Sequence, residues 1–483
     1  MKAMRNLIQF CLLGILPLAL STVAQAQLLF TTNNGAITIT GYTGSPTVLV
    51  IPSATNGYPV TVIGVSAFAN EPTLKSLTIP DSVVSMGGLM CYRCTGLTNV
   101  VLGSSLTNIS KQAFSGCINL SSVSISNSVI AIETNAFTGC SSLAGITIPD
   151  SVTNIGSGAF FWCTNLAYVT IGTNVNTIGS LAFACCTRLT SLVIPDSVTN
   201  LSRSAFESCS SLTNVIMGNG VICIGDSAFW SCTGLTNVLI PDQVVSIGNN
   251  AFWFCTNLSS FAIGDGVTSI GTNVFNWCLG LNVITVDPAN PGYSSVGGIL
   301  FDKSQDTLVQ YPIGEGSSYN VPDGITNIGQ SAFADCNVKV VTLPDSLTTI
   351  SPSAFDDCDG LTSLYFRGDA PGLDPTAFYY VSNTIVYYLP GTTGWTMPFG
   401  GFPTTLWLPQ AQASGSSFGV IANQFGFNIN WASGQTVVVE ASTNLSLTDW
   451  QPVQTNILAT DSVYFSDPQW ANYPGRFYRL SSP

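Results

Sequence analysis

The side chains able to do chemistry are an odd assortment. The 483-residue chain carries 15 cysteines and 25 carboxylates but no histidine. Without imidazole there is no Ser-His-Asp or Cys-His relay, and the usual zinc ligand sets are missing. Carboxylates alone can run acid–base chemistry, as in glycoside hydrolysis. Here, however, Asp81, Asp150, Asp196, Asp242, Asp323 and Asp345 fall at one recurring corner. An Asp that returns with a repeat reads as a turn former. Glu71, Glu133, Glu207, Glu315 and Glu440 are scattered, and no Gly-rich phosphate loop carries a Lys in place. The inventory predicts a protein without catalytic residues and without a cofactor. With 12 basic residues and a net charge of −13, it lacks the basic footprint of a nucleic-acid binder.

Two clusters stand apart from that inventory. Asp335 and Asp357 hold the same offset after Phe333 and Phe355, with Asp356 and Asp359 alongside. Stacked carboxylates repel unless solvated, protonated or bridged by a cation, and oxygen-rich groups suit Ca²⁺. A weak calcium site and a solvated acidic turn are both open readings. The second cluster is aromatic: Phe161-Trp162, Trp230, Trp253-Phe254 and Trp277 stand where other coils place Ser-Gly, Thr-Gly or Glu-Ser. Exposed, they form a strip for sugar rings or for an aromatic-anchored protein partner. Buried under neighbouring coils, under an inserted hairpin or under the C-terminal module, they are core.

What must position these residues is a repeat. Phe114, Phe137, Phe160, Phe183, Phe206, Phe229 and Phe252 follow one another at a constant step of 23, each after Ala. Cys94, Cys117, Cys140, Cys163, Cys186, Cys209, Cys232, Cys255 and Cys278 keep the same step, and Cys336 and Cys358 hold the same offset from their Phe. In the coil 189–209, Leu192 and Ile194 alternate as in a strand, Val198 and Leu201 mark a second short extended segment, and Ala-Phe-x-x-Cys is a tight turn. One such coil cannot bury a core, so coils must stack. The expected fold is mainly β: a right-handed parallel solenoid of 23-residue coils. From residue 149 the corner alternates between Pro-Asp (149, 195, 241) and Gly-x (172, 218, 264), a two-coil beat.

The motif Leu235-x-x-Val238-x-Ile240-Pro241, Val244-x-x-Ile247-Gly248-x-x-Ala251-Phe252-x-x-Cys255 resembles the BspA-type leucine-rich repeat family. The likeness runs over about 47–390. It implies adhesion or protein binding at the cell surface. Residues 293–312 look like that family's inserted hairpin, with strands at Ile299–Phe301 and Leu308–Tyr311 and the insertion spanning about 287–320. Cys91 departs from the pattern, standing where Phe belongs.

The flanks complete the reading. Residues 1–26 form a secretory leader: Lys2 and Arg5, an apolar run from Leu7 to Leu20, then Ala24-Gln25-Ala26. A secreted or cell-surface chain follows, with no membrane span once the leader is removed. Residues 27–46 read as a capping hairpin, 391–417 as a C-terminal cap and linker, and 418–483 as a small β-sandwich-like module of five strands. The function expected is a non-catalytic exported scaffold for a protein or glycan ligand. The alternative is a structural envelope or matrix component.

Overall fold

The computed structural model describes residues 27–445 and 450–482. The leader lies outside them. The N-terminal cap is the expected hairpin, Gln27–Asn33 against Ala36–Thr43. Ala36–Thr43 then pairs in parallel with Tyr58–Ile63, so the cap starts the stack.

Each coil gives a strand to two parallel sheets. The first holds segments such as Ser191–Ile194 on Asn214–Met217 and Asn237–Leu239 on Ser260–Ile263. The second is built from two-residue strands, eight of which run unbroken from Asn108–Ile109 to Ser269–Ile270. The register advances by one whole coil at each pairing, as in Asn200↔Cys223 and Cys223↔Ser246. The third side is the Ala-Phe-x-x-Cys turn. Its Phe rings stack one on the next, 5.1–5.5 Å apart from Phe114 to Phe252. From Phe114 to Phe275 each turn bends through two left-handed residues, one two places before the Phe and one two places after. Ser204 and Ser208 do this around Phe206.

The cysteine ladder has a hydrogen-bonding reason. The Cys140 thiol donates to the Phe114 carbonyl at 3.3 Å and Cys163 to Phe137 at 3.2 Å, and the pattern continues to Cys278 and Phe252. A small side chain that is both apolar and a donor fits this buried slot. All eleven ladder cysteines are buried.

The corner beat also has a physical cause. The Asp150 carboxylate accepts the Thr173 amide at 2.7 Å, and Asp196 accepts that of Asn219 at 2.8 Å. A Cβ on Gly172 or Gly218 would overlap the backbone of Pro149 or Pro195 in the coil below. The Pro-Asp coil therefore reaches over a Gly coil, and two coils make one structural unit.

The insertion holds three strands rather than two. Tyr293–Val296 precedes Ile299–Asp302, and Thr307–Gln310 rejoins the solenoid by pairing in parallel with Asn327–Ile328. Tyr311 takes the Phe position, its ring stacked on Phe333 at 5.0 Å. At the far end Thr404–Leu406 adds a last parallel strand. The stretch read as a linker is not all linker. Gln410–Gln412 is a strand, paired antiparallel with Gln424–Asn430. The C-terminal module consists of two antiparallel sheets around Phe427, Ile429, Trp431, Val437, Val439 and Phe465. It holds to the solenoid through the Trp431 indole N–H on the Trp407 carbonyl, at 2.9 Å.

Candidate functional site

The turn edge presents two side chains per coil just after the buried Phe. Its backbone forms a ladder of its own: Ser208 N–H donates to the Trp230 carbonyl, Ser231 to Trp253 and Phe254 to Asn276, at 2.7–2.9 Å. Residues at this edge are thus fixed in register by hydrogen bonds between coils.

Of the six aromatic candidates, four face solvent. Trp162 is 56% exposed, Trp230 37%, and Phe254 and Trp277 39% each. Phe161 and Trp253 are half-buried. Trp162 packs edge-on against Phe161, with ring centroids 6.1 Å apart, and two coils separate it from the rest. Phe254 and Trp277 touch across adjacent coils at 6.0 Å. The strip is therefore densest over residues 230–277.

Three of these rings are mounted on an unfavourable backbone. Trp162, Phe254 and Trp277 have φ of 61°, 62° and 59°. For bulky side chains this left-handed region is a true outlier. Gly116, Gly139, Ser208 and Ser231 occupy the same place in other coils.

The edge continues beyond the insertion. The Trp277 amide finds no neighbouring carbonyl there and donates to the Asp335 carboxylate at 2.9 Å. Ser331 Oγ donates to Asn273 Oδ1 at 2.6 Å across the same junction. Asp356 and Asp357 follow in the next coil, then Tyr379 and Tyr380, which are 53% and 71% exposed. Tyr380 is also left-handed, with φ 55°. These two tyrosines extend the strip and were missed in the sequence. Their offset from Phe378 was the available signal.

Burial raises the Asp335 carboxyl to about 6, against its bond to the Trp277 amide, and the charges of Asp357 and Asp356 add to the rise. Burial, then the charge of Asp357, also raises Asp356. Asp359 is exposed. The structure brings Asp335, Asp356 and Asp357 together as one acidic step between aromatic groups. Among the described residues, no three acidic, thiol or imidazole side chains converge as a metal-binding set.

A second surface lies on the first parallel sheet, the side of Ser191–Ile194, Asn214–Met217 and Asn237–Leu239. Val193, Ile216 and Leu239, 58%, 55% and 68% exposed, form an aliphatic ladder in three successive coils. They floor a shallow trough bordered by Asp196, Asn219 and Asp242. Further along, the Tyr168 ring lies across Gly145, where any side chain would collide with it.

Comparison with known proteins agrees with this architecture. The model of the BspA type leucine rich repeat region matches residues 61–190, 176–305 and 315–394. A leucine-rich repeat protein from Bacteroides ovatus is similar in structure, with a TM-score of 0.61 and 23% identity over 79% of this chain and 98% of that one. A leucine rich cell surface protein from Faecalibacterium prausnitzii is 26% identical over 76% and 88% of the two chains, with a TM-score of 0.35. No curated protein matches the chain. The stacked parallel coils, the Phe and Cys ladders and the matched repeats over more than half its length place this chain in the BspA-type leucine-rich repeat family.

Proposed function

We propose that this protein is a non-catalytic exported scaffold that binds a protein partner at the cell surface through its aromatic turn edge. One observation carries the reading. Trp162, Phe254, Trp277 and Tyr380 are exposed in left-handed positions where Gly or Ser serves equally well in neighbouring coils. Backbone strain of this kind costs of order 1–3 kcal/mol per residue and is characteristic of functional sites. Exposed aromatic anchors are the usual hot spots of protein interfaces. The leader at 1–26 supports export.

A second reading is glycan binding. The contacting Phe254–Trp277 pair beside the Asp335 and Asp357 carboxylates favours it, since flat rings take apolar sugar faces and carboxylates accept hydroxyl donors. The deciding experiment compares the full chain with Trp230→Ala/Trp253→Ala and Phe254→Gly/Trp277→Gly, in cross-linking capture from a cell-surface fraction and on a glycan array. Loss of one specific partner with an unchanged melting temperature supports the edge as the binding site. Retained binding by both variants removes it and leaves the trough at Val193, Ile216 and Leu239 to be tested by Ile216→Asp. A chain with no partner in either assay is a matrix component.

A further inference from the structure

Coil 91–94 differs from every other coil in the ladder: Cys91 replaces the Phe, so the turn reads Cys91-Tyr92-Arg93-Cys94. The Phe and the ladder Cys of each turn both point into the core, where both are buried. The turn is closed by the Cys94 amide on the Cys91 carbonyl at 3.1 Å, the bond made by Cys140 on Phe137 and Cys163 on Phe160. Residues joined in this way have Cα atoms within about 7 Å, the span a disulfide bridges. Placing sulfur where the ring would be therefore sets two buried sulfurs side by side in one turn. Cysteines on the ladder are otherwise one coil apart; the Cys94 thiol, like theirs, donates to a backbone carbonyl, that of Phe68, at 2.8 Å.

We propose that Cys91 and Cys94 are the one modified cysteine pair of this protein and form an intrachain disulfide on export, while the other ladder cysteines stay thiols. The oxidant is the exchange-active disulfide of an extracytoplasmic dithiol oxidoreductase. The Cys94 thiolate attacks one oxidant sulfur, and a mixed disulfide forms as the oxidant S–S bond breaks. The Cys91 thiolate then attacks the Cys94 sulfur and releases the oxidant. Two electrons pass to the oxidant, and the two protons lost by the cysteines balance those it takes up as a dithiol. Both side chains are fully buried in the folded coil, so the exchange precedes closure of the stack. The pair's close sequence spacing favours it at that stage, because loop-closure entropy grows with loop length.

Trypsin provides a direct test, because Arg93 lies between the two cysteines. Cleavage at Lys75, Arg93 and Lys111 gives peptides 76–93 and 94–111, each with one cysteine. The full chain, produced with its leader in an exporting host, is denatured in an alkylating reagent without reductant and digested. The expected product is 76–93 joined to 94–111, separable only by a reductant, with the other ladder cysteines alkylated. Recovery of both peptides separately alkylated overturns the proposal. So does a cross-link from either one to another cysteine peptide. The assay reads a covalent bond in the wild-type chain, so it stands or falls independently of any partner.

Discussion

The Trp277 amide donates to the Asp335 carboxylate across 58 residues of sequence, at 2.9 Å. This bond joins the turn edges on either side of the inserted hairpin, where the ordinary rung of the ladder is missing. Asp335→Ala leaves the Trp277 amide unpaired and should destabilise the chain by about 1–3 kcal/mol. Asp335→Asn keeps an acceptor oxygen and should not.

The same carboxyl sets a pH dependence. Burial raises it from 3.8 to about 6 in the folded chain. The folded state then holds a proton that the unfolded state has released, so stability falls as pH rises across that interval. Asn has no proton to lose. The melting temperature of Asp335→Asn relative to wild type should therefore climb between pH 3.8 and about 6 and level off above. A difference that stays constant across this range would show that Asp335 titrates normally.

The left-handed aromatics make stability and binding separable. Gly adopts a left-handed φ without the steric cost that falls on Phe or Trp. Phe254→Gly and Trp277→Gly should leave urea stability unchanged or raise it by up to about 1 kcal/mol, while partner binding drops at least tenfold. A marked fall in stability would show that the rings are packing residues.

Most of the stack was legible because its signal is redundant. Phe206 and Cys209 each have counterparts one repeat to either side, so one register satisfies both ladders. The insertion was less legible. Tyr311-Pro312 does not look like Ala-Phe, so the Phe rung it fills was hidden, and with it the meeting of Trp277 and Asp335. The sheet trough was hidden for another reason. Leu192 and Ile194 read as the alternating inward pair, as they are, but an apolar Val193 on the other face does not announce that it, Ile216 and Leu239 line up as an exposed ladder. The strand at Gln410–Gln412 is polar and short, and only its partner Gln424–Asn430 makes it a strand.

The two-coil unit predicts unequal glycines. A Cβ on Gly220 would overlap the Asp196 carbonyl, and one on Gly266 would overlap that of Asp242. Gly316 has nothing within 4 Å of such a Cβ. Gly220→Ala and Gly266→Ala should each cost about 1–3 kcal/mol as overpacked sites, with Gly316→Ala near neutral. Equal effects at the three positions, read from chemical denaturation, would remove the steric account of these close coil-to-coil approaches.

The thiol ladder should behave as core. Cys209 is fully buried, and its thiol donates to the Phe183 carbonyl at 3.3 Å. Burial pushes it well above the usual thiol range, and the thiolate is the reactive species. A bulky maleimide should therefore label the half-buried Cys185 and Cys223 in the native chain and reach the ladder only after unfolding. Cys209→Ala removes both the sulfur and the donor, and a cost of about 1–3 kcal/mol is expected. Cys209→Ser keeps a donor for Phe183 in a smaller side chain, so it should fall between Ala and wild type. If Ser is no better than Ala, the hydrogen bond to the preceding coil contributes nothing, and the ladder is held by packing alone.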